Sequence, residues 1–112
     1  MAEIPQFECR VTRAEHGARC ALSGELDLMT AARLREEMRT LLAEAGVDEI
    51  TFDLADLRFV DSSGIQALVD FRRELDARGA TMAVARPQRT VRMVLRMMGL
   101  EDVLDASDDD SR

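Results

Sequence analysis

Apolar and polar positions alternate at residues 7–11, where Phe7, Cys9 and Val11 are separated by Glu8 and Arg10. This period of two predicts a β-strand with one covered face. "ARCALSGELD" (18–27) predicts a second strand, joined to the first by a turn at "EHG" centred near Gly17, so the two form an antiparallel hairpin. The period then changes. Leu34, Met38, Leu41, Leu42 and Ala45 recur at intervals of three and four, which predicts a helix with Thr30 as its hydroxyl N-cap and Gly46 closing it. Residues 49–54, "EITFDL", return to alternation and predict a third strand, and "DLRFVD" leads from it toward a second helix. There Ile65, Leu68, Val69, Phe71 and Leu75 face inward, while Arg72, Arg73, Glu74, Asp76 and Arg78 face out, and Gly79 ends the helix.

"TMAVA" (81–85) predicts a short fourth strand, and Pro87 precedes a third helix with Val91, Val94, Leu95 and Met98 on one stripe and Gly99 at its end. Met93 and Met97 lie on a different stripe, where packing against a neighbouring loop is expected over an exposed adaptable patch. Strands alternating with helices after residue 47 imply parallel pairing. The expected fold is α/β: a mixed sheet of four to five strands, an N-terminal antiparallel hairpin, and three to four helices packed against the sheet. One domain is expected over residues 1–106, with 107–112 as an acidic flexible tail.

Composition narrows the function. At 112 residues the chain is large enough for one continuous core and too small for two. With 46% hydrophobic and 33% charged residues, its apolar stretches are broken by charge too often to span a bilayer, so no membrane partner is expected. The N-terminus lacks the pattern of a secretory signal, which places the expected location in the cytoplasm. A net charge of −7 argues against nucleic acid and toward a protein partner. Cys9 and Cys20 lack CxxC spacing and a neighbouring histidine, and are expected as two small apolar side chains rather than a redox pair. His16 and the scattered carboxylates make no metal-ligand spacing, so neither metal nor cofactor is expected.

The chemistry concentrates at "DSSG", residues 61–64, where the third strand gives way to the second helix. Ser63 and Gln66 have the S-x-x-Q spacing of a capping box, which would leave Ser62 just outside the helix with a free hydroxyl near the positive end of the helix dipole. The alternative is a plain strand-to-helix turn with Asp61 as the cap. An exposed hydroxyl at such a place is a good phosphoryl acceptor, opposed by Asp61 and by Asp27 if the "GELD" loop lies at the same end of the sheet. A serine hydrolase is excluded on inventory: G-x-S-x-G is absent, and the only histidine, His16, falls in the first hairpin turn. The chain is not expected to be an enzyme.

"SGELDLMTAARL" (23–34), "TFDLADLRFVDSSGIQAL" (51–68) and "MVLRMMGLEDVL" (93–104) resemble, in order and spacing, three blocks of the STAS domain of bacterial anti-sigma-factor antagonists. The resemblance implies a partner-switching regulator of transcription, of the kind that serves sporulation or stress responses. When unphosphorylated, such an antagonist binds an anti-sigma factor that is also a serine kinase, and so frees a sigma factor. The kinase phosphorylates the serine after the motif's aspartate and a metal-dependent serine phosphatase reverses this. Carried onto this chain, the acceptor is Ser62, with Asp27, Asp61, Ser63 and Gly64 completing the partner-binding loop, Gly64 to leave room for the approaching kinase. Gln66 and the "LMTA" after Asp27 depart from the family's usual residues. A monomer or weak dimer is expected. The alternative is a STAS scaffold or ligand-binding module whose serine is not used.

Overall fold

The structure, a computed structural model, describes residues 7–104. The expected tail at 107–112 lies outside these residues. Four strands, β1 (Phe7–Arg13), β2 (Gly17–Leu26), β3 (Glu49–Val60) and β4 (Thr81–Ala85), form one sheet in the order β1-β2-β3-β4. β1 pairs antiparallel with β2, whereas β2 with β3 and β3 with β4 pair in parallel. Three helices, α1 (Leu28–Leu42), α2 (Ser62–Ala77) and α3 (Arg89–Met97), and one 3-10 turn (Glu101–Val103) complete the described chain. Leu104 forms a single parallel bridge to Val84 beside β4.

The alternation expected from the sequence sets the faces of the sheet. Cys20, Leu22, Ile50, Phe52 and Val84 are fully buried under the helices, while Arg19 and Thr81 on alternate positions are exposed. α1 and α2 lie side by side on that face, tied on their outer side by Arg35 Nη1 donating to Asp70 Oδ2 at 2.9 Å. Leu34, Met38 and Leu41 from α1 and Ile65, Leu68 and Leu75 from α2 supply the upper layer of the core, each at most 2% exposed.

Three boundaries differ from expectation. α1 begins at Leu28, not after Thr30, because Asp27 is its N-cap: the Asp27 carboxylate accepts from the backbone N–H of Met29 and Thr30, and the Thr30 hydroxyl accepts from the Asp27 N–H at 2.8 Å. Thr30 is therefore the third helical residue of a reciprocal capping box. The helix ends at Leu42, and Ala45 is exposed. β3 runs on to Val60 instead of ending at Leu54. Its register against β2 shifts between Ala21 and Ser23 and again between Gly24 and Glu25. Each shift inserts an extra residue in β3, so Leu54, Leu57 and Val60 point inward at intervals of three, and the period of two disappears from the sequence. Gly24, at the second shift, takes φ +90°, a left-handed conformation costly for any residue with a side chain.

On α3 the expected stripe is only partly inward. Val91 and Leu95 are buried and Val94 is half-buried, but Met98 is 51% exposed because it caps the helix rather than continuing it. Met93 and Met97 are exposed, which corrects the expectation that they pack against a loop.

Candidate functional site

Two parallel strands end side by side and each turns at once into a helix. Leu26 of β2 pairs with Val60 of β3, and the next residues, Asp27 and Asp61, are the N-caps of α1 and α2. The Asp61 N–H donates to the Leu26 carbonyl at 3.1 Å, which locks the two turns together. The "GELD" and "DSSG" segments therefore meet at one corner of the sheet.

At the α2 turn the cap is Asp61 and not Ser63. Asp61 Oδ1 accepts from the Ser63 N–H at 2.9 Å and the Gly64 N–H at 3.0 Å, and the Asp61 carbonyl accepts from Ile65. A carboxylate makes charge-assisted bonds to these amides and outcompetes a neutral serine hydroxyl for the same place. With the helix starting two residues earlier, Gln66 sits two positions past the third helical residue. It donates instead to Asp70 Oδ1, four residues on, at 2.9 Å. The Ser63–Gln66 capping box is thus overturned. Ser62 becomes the first helical residue; it is exposed, and no described residue hydrogen-bonds its hydroxyl, while Ser63 is half-buried. The free hydroxyl expected from the sequence is present for a different reason. Of the three helix-start amides beyond the cap, Asp61 already holds two, which leaves little of the positive end for a second anion.

Gly64 is buried. A Cβ there would lie 2.7 Å from Leu26 Cγ, 2.8 Å from Val60 Cγ2 and 2.9 Å from the Leu26 carbonyl oxygen. The missing side chain lets α2 press onto the ends of β2 and β3; it does not clear an outer approach, as the resemblance had implied.

Asp27 carries the clearest electrostatic signature of the corner. Hydrogen bonds from the Thr30 N–H and hydroxyl, supported by the Met29 N–H, hold its carboxyl below the usual carboxylate range, so it is anionic at neutral pH. Around the two caps the surface turns apolar: Leu28 and Met29 open α1 at 72% and 79% exposure, and Phe59, beside the last pair of β3, is 48% exposed. Of these, Leu28 and Met29 lie in the "LMTA" that departs from the resembled pattern. Nothing in the period of the sequence marked Phe59 as exposed, because the register shifts turn it outward.

A second polar centre carries no sequence signal. Asp53, buried in β3, accepts from Arg86 Nε at 3.2 Å and Nη2 at 2.7 Å and from Arg19 at 3.3 Å. Arg86 does this from a left-handed backbone, φ +58°, between β4 and α3. The arginine and the Ala55 N–H hold Asp53 below its ordinary range. Among the described residues no group of three His, Cys, Asp or Glu side chains is placed to hold a metal, and no helix is long and apolar enough to cross a membrane.

This fold, with its paired strand-to-helix turns and DSSG segment, belongs to the STAS-domain family, whose pattern matches residues 7–109. Within the family, the chain is 30% identical over 89 residues to an anti-sigma F factor antagonist from Paenibacillus polymyxa, covering 80% of this chain and 76% of that one. The fold superposes on the anti-sigma factor antagonist SpoIIAA in its unphosphorylated form with a TM-score of 0.79 and 26% identity, covering 88% of this chain and 86% of that one. It matches the phosphorylated form of Bacillus SpoIIAA with a TM-score of 0.72, again at 26% identity, over 88% of each chain. The family is broader than antagonists: the intermembrane phospholipid transport system binding protein MlaB of Haemophilus influenzae is 29% identical over 83 residues, covering 72% of this chain and 79% of that one.

Proposed function

We propose that this STAS domain is an anti-sigma-factor antagonist that binds an anti-sigma factor through the corner formed by Asp27, Asp61, Ser62, Ser63 and Gly64, and is released from it when Ser62 is phosphorylated. The observation that carries this is the placement of Ser62: an exposed, uncommitted hydroxyl on the first residue of α2, beside the carboxylate that caps the helix. The partner is an anti-sigma factor with serine kinase activity, and a metal-dependent phosphatase restores the hydroxyl. The antagonist itself performs no catalysis and works in the cytoplasm as a monomer or weak dimer. Leu28, Met29 and Phe59 supply the apolar contact area around the hydroxyl.

The switch needs no change of fold. Phosphorylation adds close to two negative charges where Asp61 has taken the nearest helix amides and Asp27 is already ionised. Within an interface that dianion either meets cations or is desolvated unpaired. Lowering affinity by two to three decades takes roughly 3 to 4 kcal/mol, within reach of one buried and repelled phosphate.

Incubation with ATP and a serine-kinase anti-sigma factor is expected to add one phosphoryl mass, abolished in Ser62→Ala. In direct binding, Ser62→Ala should retain full affinity and Ser62→Asp should lose about tenfold or more. Equal affinities for the two variants would defeat the mechanism. The likeness to MlaB, a binding protein of a phospholipid transport system, supports a second reading of this chain as a STAS scaffold or ligand-binding module, in which Ser62 would not serve as a switch. A chain that accepts no phosphoryl group yet binds its partner with Ser62→Asp unimpaired would establish that alternative.

A further inference from the structure

Cys9 and Cys20 stand eleven residues apart in sequence, but the hairpin register brings them together. Cys9 pairs with Leu22 and Val11 with Cys20, so the two cysteines are diagonal neighbours on the helix-facing side of β1 and β2. Both are free thiols. Cys20 is fully buried, whereas Cys9 is half-buried and lines a groove of about 220 Å³ with Phe7, Arg33 and Glu37. Above the groove the Arg33 guanidinium sits over the Phe7 ring, 5.5 Å from its centroid. The groove thus gives solvent a path to one sulfur and not to the other.

The surroundings assign the two thiols different parts. The neighbouring Cys20 thiol holds the Cys9 thiol below its usual range, opposed by burial and Glu37 and assisted by Arg33. Cys20 is pushed up, by its proximity to Cys9 and by burial, and keeps its proton. An accessible sulfur with thiolate character beside a protected one is the arrangement of an attacking and a resolving cysteine.

We infer that Cys9 is a peroxide-sensitive modification site, with Cys20 as the thiol that converts its oxidised form to a reversible disulfide across the β1–β2 hairpin. The Cys9 thiolate attacks one oxygen of hydrogen peroxide; the O–O bond breaks, and the other oxygen leaves as hydroxide, which takes up a proton to become water. The product is a Cys9 sulfenic acid. The Cys20 sulfur then attacks the sulfenic sulfur, the S–O bond breaks, and the Cys20 proton leaves with that oxygen as a second water. Two thiols lose two electrons and the peroxide gains them. A dithiol reductant restores both thiols by exchange.

Strand geometry makes the bond reversible. Diagonal partners across an antiparallel pair sit at about 7 to 8 Å between Cα atoms, and a disulfide closes at about 4.4 to 6.8 Å. The gap of roughly an ångström closes if β1 slips along β2, which it can do because among the described residues β1 is held on one side only. A bond closed under such strain is readily reduced.

The test treats the folded full chain with hydrogen peroxide, alkylates the remaining thiols and maps the tryptic peptides, so that oxidation of the exposed methionines is read separately. The expected result is a cross-link between the peptide ending at Arg10 and the peptide beginning at Cys20, removed by dithiothreitol, with Cys9 consumed about ten times faster than free cysteine at the same pH. In Cys20→Ala the sulfenic acid on Cys9 should persist and be trapped by dimedone. Three results would each overturn the inference: disulfides only between chains, over-oxidation of Cys9 in the wild type without a cross-link, or a Cys9 rate no greater than that of free cysteine. The wild-type cross-link stands as a test even if Cys20→Ala fails to fold.

Discussion

Gly64 and Asp61 stand three residues apart at the start of α2, and each is fixed by a different force. At Gly64 the force is repulsion. Leu26 and Val60 side-chain atoms lie inside normal contact of any added Cβ, and so does the Leu26 carbonyl, which already holds the Asp61 N–H and cannot swing away. Gly64→Ala is expected to destabilise the fold by about 1 to 3 kcal/mol in denaturant unfolding. At Asp61 the force is attraction to two orphan amides. Asp61→Ala should lower stability by about 0.5 to 2 kcal/mol, and Ser63→Ala by less than about 0.5 kcal/mol. The reverse order would restore Ser63 as the cap. Spacing alone did not distinguish these candidates, because an aspartate and a serine two positions on both fit the rules for a helix start. The charge on the carboxylate decides, and that is a property of competition in the folded turn. The exposed Ser62 was nonetheless legible, since either cap leaves its hydroxyl unused.

Among the elements, β1 and β3 are opposites. β3 is flanked on both sides and carries the fully buried Phe52, Leu54 and Leu57, whereas β1 has one neighbouring strand among the described residues. Amide hydrogen exchange followed by NMR should show β1 amides exchanging before those of the Ile50–Leu54 stretch by about tenfold or more, because β1 can open without unfolding the sheet. Equal protection of the two would mean that β1 opens only with the whole domain. The order of elements followed from periodicity, and β4 and the body of α2 lie where the pattern put them. The second half of β3 did not, since two inserted residues turn its inward spacing from two to three, and a spacing of three carries no strand signal. The outward methionines of α3 were misjudged for a related reason. Periodicity sorts residues into stripes, and which stripe the sheet covers depends on how the helix is docked.

At the scale of the whole molecule, acid stability rests on carboxylates that folding holds in their ionised form. Asp53 is the most enclosed of them, clamped by Arg86 and Arg19. Its folded pKa lies below its unfolded value, near 3.9, so the unfolded chain binds the proton more readily. The contribution is therefore fully present above about pH 4 and lost as the pH falls through the folded value. Asp53→Asn should be less stable than wild type at pH 7, and the gap should narrow steadily in urea titrations below about pH 4. A gap that stays constant into acid would show that the ion pair adds nothing. No motif announced this centre: Asp53 reads as a polar position of a strand and Arg86 as a linker residue, and only the register of β3 against β4 brings them together.

The twin caps at the ends of β2 and β3 set a background against which any signal at this corner is read. α1 and α2 both point their positive ends at one corner, each equivalent to about half a charge, and each is met by one aspartate, so the corner rests at about one net negative charge. A phosphoryl group on Ser62 would take it to about three. A partner would then read a roughly threefold change in local charge, not the appearance of charge on neutral ground. Replacing either aspartate by asparagine would raise the contrast of the signal while weakening the helix start that presents it, so the resting background is set by the same side chains that hold the reporter in place.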